Sequence, residues 1–321
     1  MNILITAIGS LSATAVIGSL KGDGHTLVGC DIYPQEWVYN ARLVDRFFQA
    51  PKCSDSTPYI NFINRLCAEH SIDFILPLTD PEVDVLAQFR HLINPGSQLA
   101  LSPNAALNLC RDKLSWFELL RCKAGLRLIP TVLLHDFVPG TLRLPLIAKP
   151  RNGRSSEGIY RLDTAADIAW LKQKIPAEQF IIQPLLSGPV FVVDVVRTAK
   201  GQAVAVARQE LLRTANGAGL TIQIIENPAL IKTALEIADQ LGIQGCINLE
   251  FLGTDDGFYL MDINPRFSAG VEFSQMAGYD MVINHLNNFI HQEIQPAFNC
   301  KPGIFTRHYV AEEQYRGHHE Q

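Results

Sequence analysis

The 321-residue chain is 47% hydrophobic and 18% charged, with a net charge of -5 at pH 7. Such a length holds two or three domains, the composition excludes a disordered chain, and the acidic balance gives no reason to expect nucleic acid as a partner. Seven scattered cysteines without a C-x-x-C pair argue for reduced thiols rather than disulfides or zinc. With no basic leader and no apolar run of membrane-spanning length, a cytoplasmic protein with no membrane partner is expected.

Residues 2–8 read as a buried strand. Gly9-Ser10-Leu11-Ser12 turns the chain into a helix reaching Leu20, and His25 to Asp31 forms the next strand, which together open a Rossmann-like unit. Gly9 lacks the later glycines of G-x-G-x-x-G, so the fold is expected without its dinucleotide, and a nicotinamide oxidoreductase ranks third among the readings. A helix around 57–69, a strand from Phe74 to Pro77, a helix near 81–93 and a short strand from Leu99 to Leu101 complete a helix-covered parallel sheet. Another helix, opening in Asn108 to Phe117 with Arg111-Asp112-Lys113, runs to about Ala124 before Gly125 ends it. Taken alone, Lys113 is a solvated helix lysine as readily as a phosphate contact.

An apolar strand from Leu144 ends in Lys149 and Pro150, and Arg151-Asn152-Gly153-Arg154-Ser155-Ser156-Glu157-Gly158 follows. A lysine pointing into a Gly/Ser loop suits phosphates cradled by backbone donors of Asn152, Gly153, Ser155, Ser156 and Gly158. This is not a Walker motif, because the lysine precedes the loop and no helix follows at once. A helix over 163–174 leads to strands from Phe180 to Leu186, Val190 to Arg197 and Ala203 to Glu210. The segment Gln183, Pro184, Leu185 and Leu186 reads equally as an adenine shelf or as an ordinary interdomain strand. Arg208 and Arg213 beside the loop Thr214 to Gly219 suit a carboxylate or phosphate, or simply serve solubility. The helix from Pro228 to Leu241 carries a core stripe and no chemistry.

Strict alternation then flanks a Gly/Asp-rich turn over residues 248–264, a β-hairpin. A turn centred on Asp256 places Glu250 opposite Asp262, with Asn248 and Asn264 on the same face and Leu249, Phe251, Tyr259, Met261 and Ile263 on the other. Facing carboxylates repel unless a cation lies between them, and two carboxylates with an amide suit Mg²⁺; a solvated acidic hairpin is the competing reading. Pro265 stops the strand, and Arg266 follows where a bidentate phosphate contact is feasible. A loop over 267–271 and a helix over 280–291 come next, with His285 and His291 off the metal-binding i, i+4 spacing and therefore structural. His318-His319 lie in a polar tail.

Taken in order, Arg111-Asp112-Lys113, Ala148-Lys149-Pro150 with its loop, Phe180 to Leu186, Arg208 to Gly217, Asn248-Leu249-Glu250 and Met261-Asp262-Ile263-Asn264-Pro265-Arg266 resemble the ATP-grasp superfamily. The closest resemblance is to its branch similar to the carbamoyl-phosphate synthetase large subunit, and it covers essentially the whole chain. It implies an α/β fold: a Rossmann-like pre-ATP-grasp domain at 1–105, followed by a two-lobed ATP-grasp (α+β) module. The N-terminal lobe would span 106–182 and the C-terminal lobe, with the metal site, 183–321.

The same resemblance implies ATP with Mg²⁺ or Mn²⁺ between the lobes. Lys113, Lys149 and the loop at 152–158 would contact phosphates, Gln183 to Leu186 the adenine, and Glu250, Asp262 and Asn264 the metal. Lys149, Arg208, Arg213 and Arg266 would carry the catalysis. The implied activity is an ATP-dependent carboxylate-amine ligase working through an acyl phosphate and releasing ADP and phosphate. Its partners would be a small-molecule carboxylate and amine, and a homodimer is compatible with this. Pro184 and Val190 stand where relatives place acidic residues, which keeps an inactive nucleotide-binding protein as an alternative, alongside a bicarbonate-activating carboxylase. Asp262 stands where a glutamate is commoner.

Overall fold

The computed structural model describes residues 1–123, 125–153, 157–215 and 217–311. It begins with β1 (Asn2–Ile5), α1 (Ala13–Lys21), β2 (Thr26–Asp31), β3 (Arg46–Gln49), α2 (Ser56–Glu69), β4 (Phe74–Leu76), α3 (Asp80–Gln88) and β5 (Gln98–Leu99). The five strands are parallel in the order β3-β2-β1-β4-β5. Ile3, Leu4 and Ile5 are fully buried because helices cover both faces of the sheet: Ile3 and Ile5 share a cluster with α1, and Leu4 shares one with α2 and α3.

At the β1 to α1 turn, the Gly9 amide donates to Asp31 Oδ2 at 2.7 Å and the Tyr33 amide to Asp31 Oδ1 at 3.1 Å. A side chain on Gly9 would meet Asp31 Oδ2 at 2.9 Å. The Asp31 carboxylate therefore closes on its own loop.

The single helix expected from 108 to about Ala124 is two helices, α4 (Asn104–Arg111) and α5 (Lys113–Leu120); Ala124 itself lies outside the described residues. Asp112 breaks them: it is extended, at φ -95° and ψ 105°, and its side chain accepts from the Leu114 and Ser115 amides as the cap of α5. Both helices contribute to the core of the large sheet described below, through Ala106, Cys110, Trp116 and Leu120.

Next come β6 (Arg127–Leu128), β7 (Val132–Leu133), β8 (Leu146–Pro150), β9 (Tyr160–Leu162), α6 (Ala165–Lys174) and β10 (Phe180–Pro184). Strands β7-β10-β8-β9 form an antiparallel sheet, and Thr164 with Asp167 forms a capping box that starts α6. The remaining elements are β11 (Val190–Arg197), β12 (Ala203–Arg213), β13 (Gly219–Ile225), α7 (Pro228–Gln240), β14 (Gly245–Thr254), β15 (Gly257–Asn264), α8 (Val271–Met276), α9 (Met281–His291) and β16 (Gly303–Thr306). They build a seven-stranded sheet in the order β16-β13-β12-β11-β14-β15-β6.

Several boundaries differ from the sequence expectation. The first strand stops at Ile5 and the helix near 81–93 at Gln88, while β13, α8 and β16 appear where no element was expected. β12 runs on to Arg213 through two register shifts, one that skips Leu211 in β12 and one that skips Leu220 in β13. His285 is structural: Nδ1 accepts from the Cys246 amide at 2.8 Å, and Nε2 lies 3.0 Å from the Ala100 carbonyl. It therefore bridges the N-terminal sheet and β14 in the neutral form. The tail histidines lie outside the described residues.

Candidate active site

The hairpin β14–β15 pairs Glu250 with Asp262 and Asn248 with Asn264, as the alternation requires. The route to that register is different. The turn is centred between Asp255 and Asp256, since Thr254 pairs with Gly257, and a register shift beside Phe251 makes up the difference. Met261 is the extra residue, so Leu260 takes the core position and Met261 lines the pocket, reversing the face expected for Met261.

The polar face of the hairpin forms one wall of a cavity of about 420 Å³, and β8, β10 and the segment after β10 form another. Ile129, Ile147, Ile159, Leu185, Leu186 and Leu252 give it an apolar part, while Val192 sits beside Glu250 in the ladder. At the polar end, Lys113 Nζ lies 3.1 Å from Asp262 Oδ1 and donates to the Gly153 carbonyl at 2.9 Å. Arg213 donates to Glu250 Oε2 at 2.8 Å and to the Gly217 carbonyl at 2.6 Å. Lys149 makes no ion pair among the described residues; its ammonium reaches the Met261 carbonyl at 3.4 Å. Burial pushes Lys149 down to about 8, with Lys113 adding to the effect and Asp262 and Glu250 opposing it. Burial also pushes the Glu250 carboxyl up, Asp262 adds to the shift, and Arg213 counters it.

Arg208 is 2% exposed and sits in a closed network. It donates to Asp194 at 2.6 Å, Glu210 at 3.1 Å and Ser268 at 3.2 Å, while Asn248 and Ser274 also donate to Asp194. Burial disfavours the guanidinium charge, but Asp194 and Glu210 outweigh it and raise its pKa. Arg266 also lines the cavity, yet its fork grips Asp80 of α3, with Nε at 2.9 Å and a terminal nitrogen at 2.8 Å.

The structure thus brings Lys113, Lys149, Gly153, Gln183 to Leu186, Arg208, Arg213, Glu250, Asp262, Asn264 and Arg266 onto one cavity. Gln183 turns its amide to Thr131 at 2.7 Å. Asn152 is exposed and off the cavity wall, and Gly158, at φ +69°, packs against Pro150, whereas Glu157 and Ile159 line the wall instead. Ser155 and Ser156 lie outside the described residues. Beyond β10, Gly188 lies against the hairpin so closely that a side chain would meet the Gly253 carbonyl at 1.9 Å. Asp80 was missed by the sequence reading; its one local signal was Thr79-Asp80-Pro81 opening a helix.

The donor set suits a polyanion with a hard cation. Two lysines face two carboxylates of which one, Glu250, is held above its ordinary pKa, and Asn264 adds an amide oxygen. Among the described residues no group of three or more His, Cys, Asp or Glu side chains is arranged to hold a metal, so any metal here would rest on that acidic pair and the amide.

A parallel α/β domain joined to two sheets that close on a cleft lined with lysines and an acidic hairpin is the architecture of ATP-grasp proteins. Residues 176–309 match the family model described as "ATP-grasp in the biosynthetic pathway with Ter operon", and residues 3–96 match "PylC-like, N-terminal domain". The chain thus joins a PylC-like N-terminal domain to an ATP-grasp module. No curated protein sequence matches it significantly.

Among solved structures, it resembles biotin carboxylase from Campylobacter jejuni (18% identity, TM-score 0.74, covering 89% of this chain and 70% of that one). It also resembles N5-carboxyaminoimidazole synthetase from Staphylococcus aureus complexed with ADP (19%, 0.75, 94% and 81%). A third likeness is to L-amino acid ligase from Bacillus licheniformis (17%, 0.71, 92% and 77%). At these identities the likeness is one of fold.

Proposed function

We propose that this chain is an ATP-dependent ligase that joins a small-molecule carboxylate to an amine through an acyl phosphate, releasing ADP and phosphate. The observation that carries this reading is the meeting of Lys113 and Lys149 with the Glu250–Asp262 pair around one cavity. Lys113 and Lys149 would hold the triphosphate, and the apolar end beside Leu185 and Leu186 would take the base. Glu250, Asp262 and Asn264 would hold Mg²⁺ or Mn²⁺, which when bound supplies charge neutralisation on the phosphate oxygens. With the acid's oxygen in line, its attack on the γ-phosphorus expels ADP, and the amine then displaces phosphate from the acyl carbon. Arg213 is placed to meet an anionic oxygen once a cation takes over Glu250.

The names of the structural neighbours support this chemistry as a class, and biotin carboxylase among them favours bicarbonate as the second choice of acid. The three sheets support domains at 1–105, 106–182 and 183–321, with β6 crossing to the last. Among the described residues no helix is long and apolar enough to cross a membrane, and we place the protein in the cytoplasm, with a homodimer compatible.

The test is incubation with ATP, Mg²⁺, a panel of carboxylic acids including bicarbonate, and hydroxylamine. ADP with a hydroxamate from one acid supports the ligase. ADP formation that depends on bicarbonate identifies the carboxylase instead. Tight ATP binding without turnover across the panel identifies an inactive binder. Lys149→Ala should abolish turnover, and full magnesium-dependent turnover by Glu250→Gln would remove the metal assignment.

A further inference from the structure

Asp80, the first residue of α3, carries the N-terminal domain to the wall of the cavity. It is 5% exposed and holds two guanidinium groups: Arg266 through both carboxylate oxygens, at 2.9 and 2.8 Å, and Arg111 at 2.7 Å. The two arginines differ in what else they do. Arg111 is also gripped by Asp84 at 2.6 Å and does not line the cavity. Arg266 lines it, with its guanidinium 3.5 Å from Asn264 Oδ1 and anchored by the Phe267 carbonyl at 2.9 Å.

Arg111 alone would suffice to tie the two domains together. The second, two-pronged grip fixes the plane of a guanidinium that would otherwise have several rotamers at the cavity edge. The same carboxylate steadies both segments that carry the charged wall. Arg111 lies two residues before Lys113, whose ammonium meets Asp262, and Arg266 lies two residues after Asn264.

Resting on the ATP-ligase reading, we propose that Asp80 is a positioning residue that aims Arg266 at the terminal phosphate, so that the N-terminal domain completes the reacting end of the site. Arg266 would touch the phosphoryl group; Asp80 would act through it.

The test uses the full chain and calorimetric affinities for MgADP and for the magnesium complex of a non-hydrolysable β,γ-imido ATP analogue. Asp80→Asn keeps the size of the side chain and removes its charge. Asp80→Asn and Arg266→Gln should each weaken the triphosphate analogue about tenfold or more relative to ADP, the loss of one charge-assisted contact. The double variant should be no weaker than either single one, and Asp80→Glu should recover part of the ratio. A merely structural tie would lower the melting temperature and weaken both nucleotides equally, and that outcome, an unchanged ratio in either single variant, or additive losses in the double variant would overturn the proposal. Failure of the unaltered protein to bind either nucleotide would overturn the ATP reading and this proposal together, whereas normal binding with an unchanged ratio in Asp80→Asn would overturn only this one.

Discussion

Binding of a triphosphate should be accompanied by proton uptake at alkaline pH, and Lys149 sets the size of the effect. Burial holds its ammonium at about 8 rather than 10.5, so about half of the empty protein carries a neutral lysine at pH 8 and about nine-tenths at pH 9. A polyphosphate beside the amine restores its preference for charge. Calorimetry in two buffers of different ionisation enthalpy should therefore register about 0.5 proton taken up per nucleotide at pH 8 and about 0.9 at pH 9, with affinity falling about tenfold between pH 7 and pH 9. Lys149→Arg, always charged, should bind without this uptake.

The same shift has a sign in stability. Between pH 8 and 10.5 the unfolded chain binds the extra proton, so the empty protein gains stability as pH rises through that window, by about 3 kcal/mol in all. Lys149→Met should accordingly stabilise the empty protein by up to about 3 kcal/mol near neutral pH while removing nucleotide affinity. Absence of proton uptake at pH 8 to 9, or equal uptake in Lys149→Arg, would refute the assignment of that proton to Lys149.

Three further outcomes are expected. Burial pushes His285 down to about 4 from 6.5, so the unfolded state gains the proton first and about 3 kcal/mol of stability should be lost as pH falls through that interval; urea unfolding of His285→Gln should lack this slope. Arg208→Met leaves Asp194 buried without its cation and Glu210 with only Arg213 at 3.9 Å and should cost about 3–5 kcal/mol in denaturant unfolding, with an effect under about 1 kcal/mol contradicting the network. Gly245 has φ +87°, and an added Cβ would meet the His285 ring at 2.7 Å. Gly245→Ala should therefore lower stability by at least about 2 kcal/mol, and an unchanged melting temperature would show that α9 shifts freely.

What could be read from the sequence followed from its local periodicities. The hairpin announced itself because an alternation of period two and an Asp-Gly-rich turn act within twenty residues, and Lys149 stood out because an apolar strand ended on it. The break at Asp112 was hidden because Arg111 and Lys113 continue a helix-like pattern, while the decisive fact, capping by the Asp112 side chain, depends on backbone geometry. β13 and β16 escaped notice because each gains its regularity from a neighbour distant in sequence, Thr306 pairing with Thr221 for instance. Asp80 was invisible as a site residue for the same reason: its partner Arg266 lies 186 positions away, and no local pattern marks such a pair.

The extra residue in β15 bears on the lysine of β8 more than on the acidic pair. Met261 occupies a place that a regular ladder would omit: removing it would leave Glu250 opposite Asp262 and Phe251 opposite Leu260. The acidic pair is therefore indifferent to the insertion, and the lysine is not. It is the Met261 carbonyl that lies 3.4 Å from the Lys149 ammonium, an acceptor made available by the kink and independent of any side chain. The insertion works as a backbone ligand for a cation that makes no ion pair among the described residues, and no substitution at position 261 can remove it, whereas a one-residue deletion would.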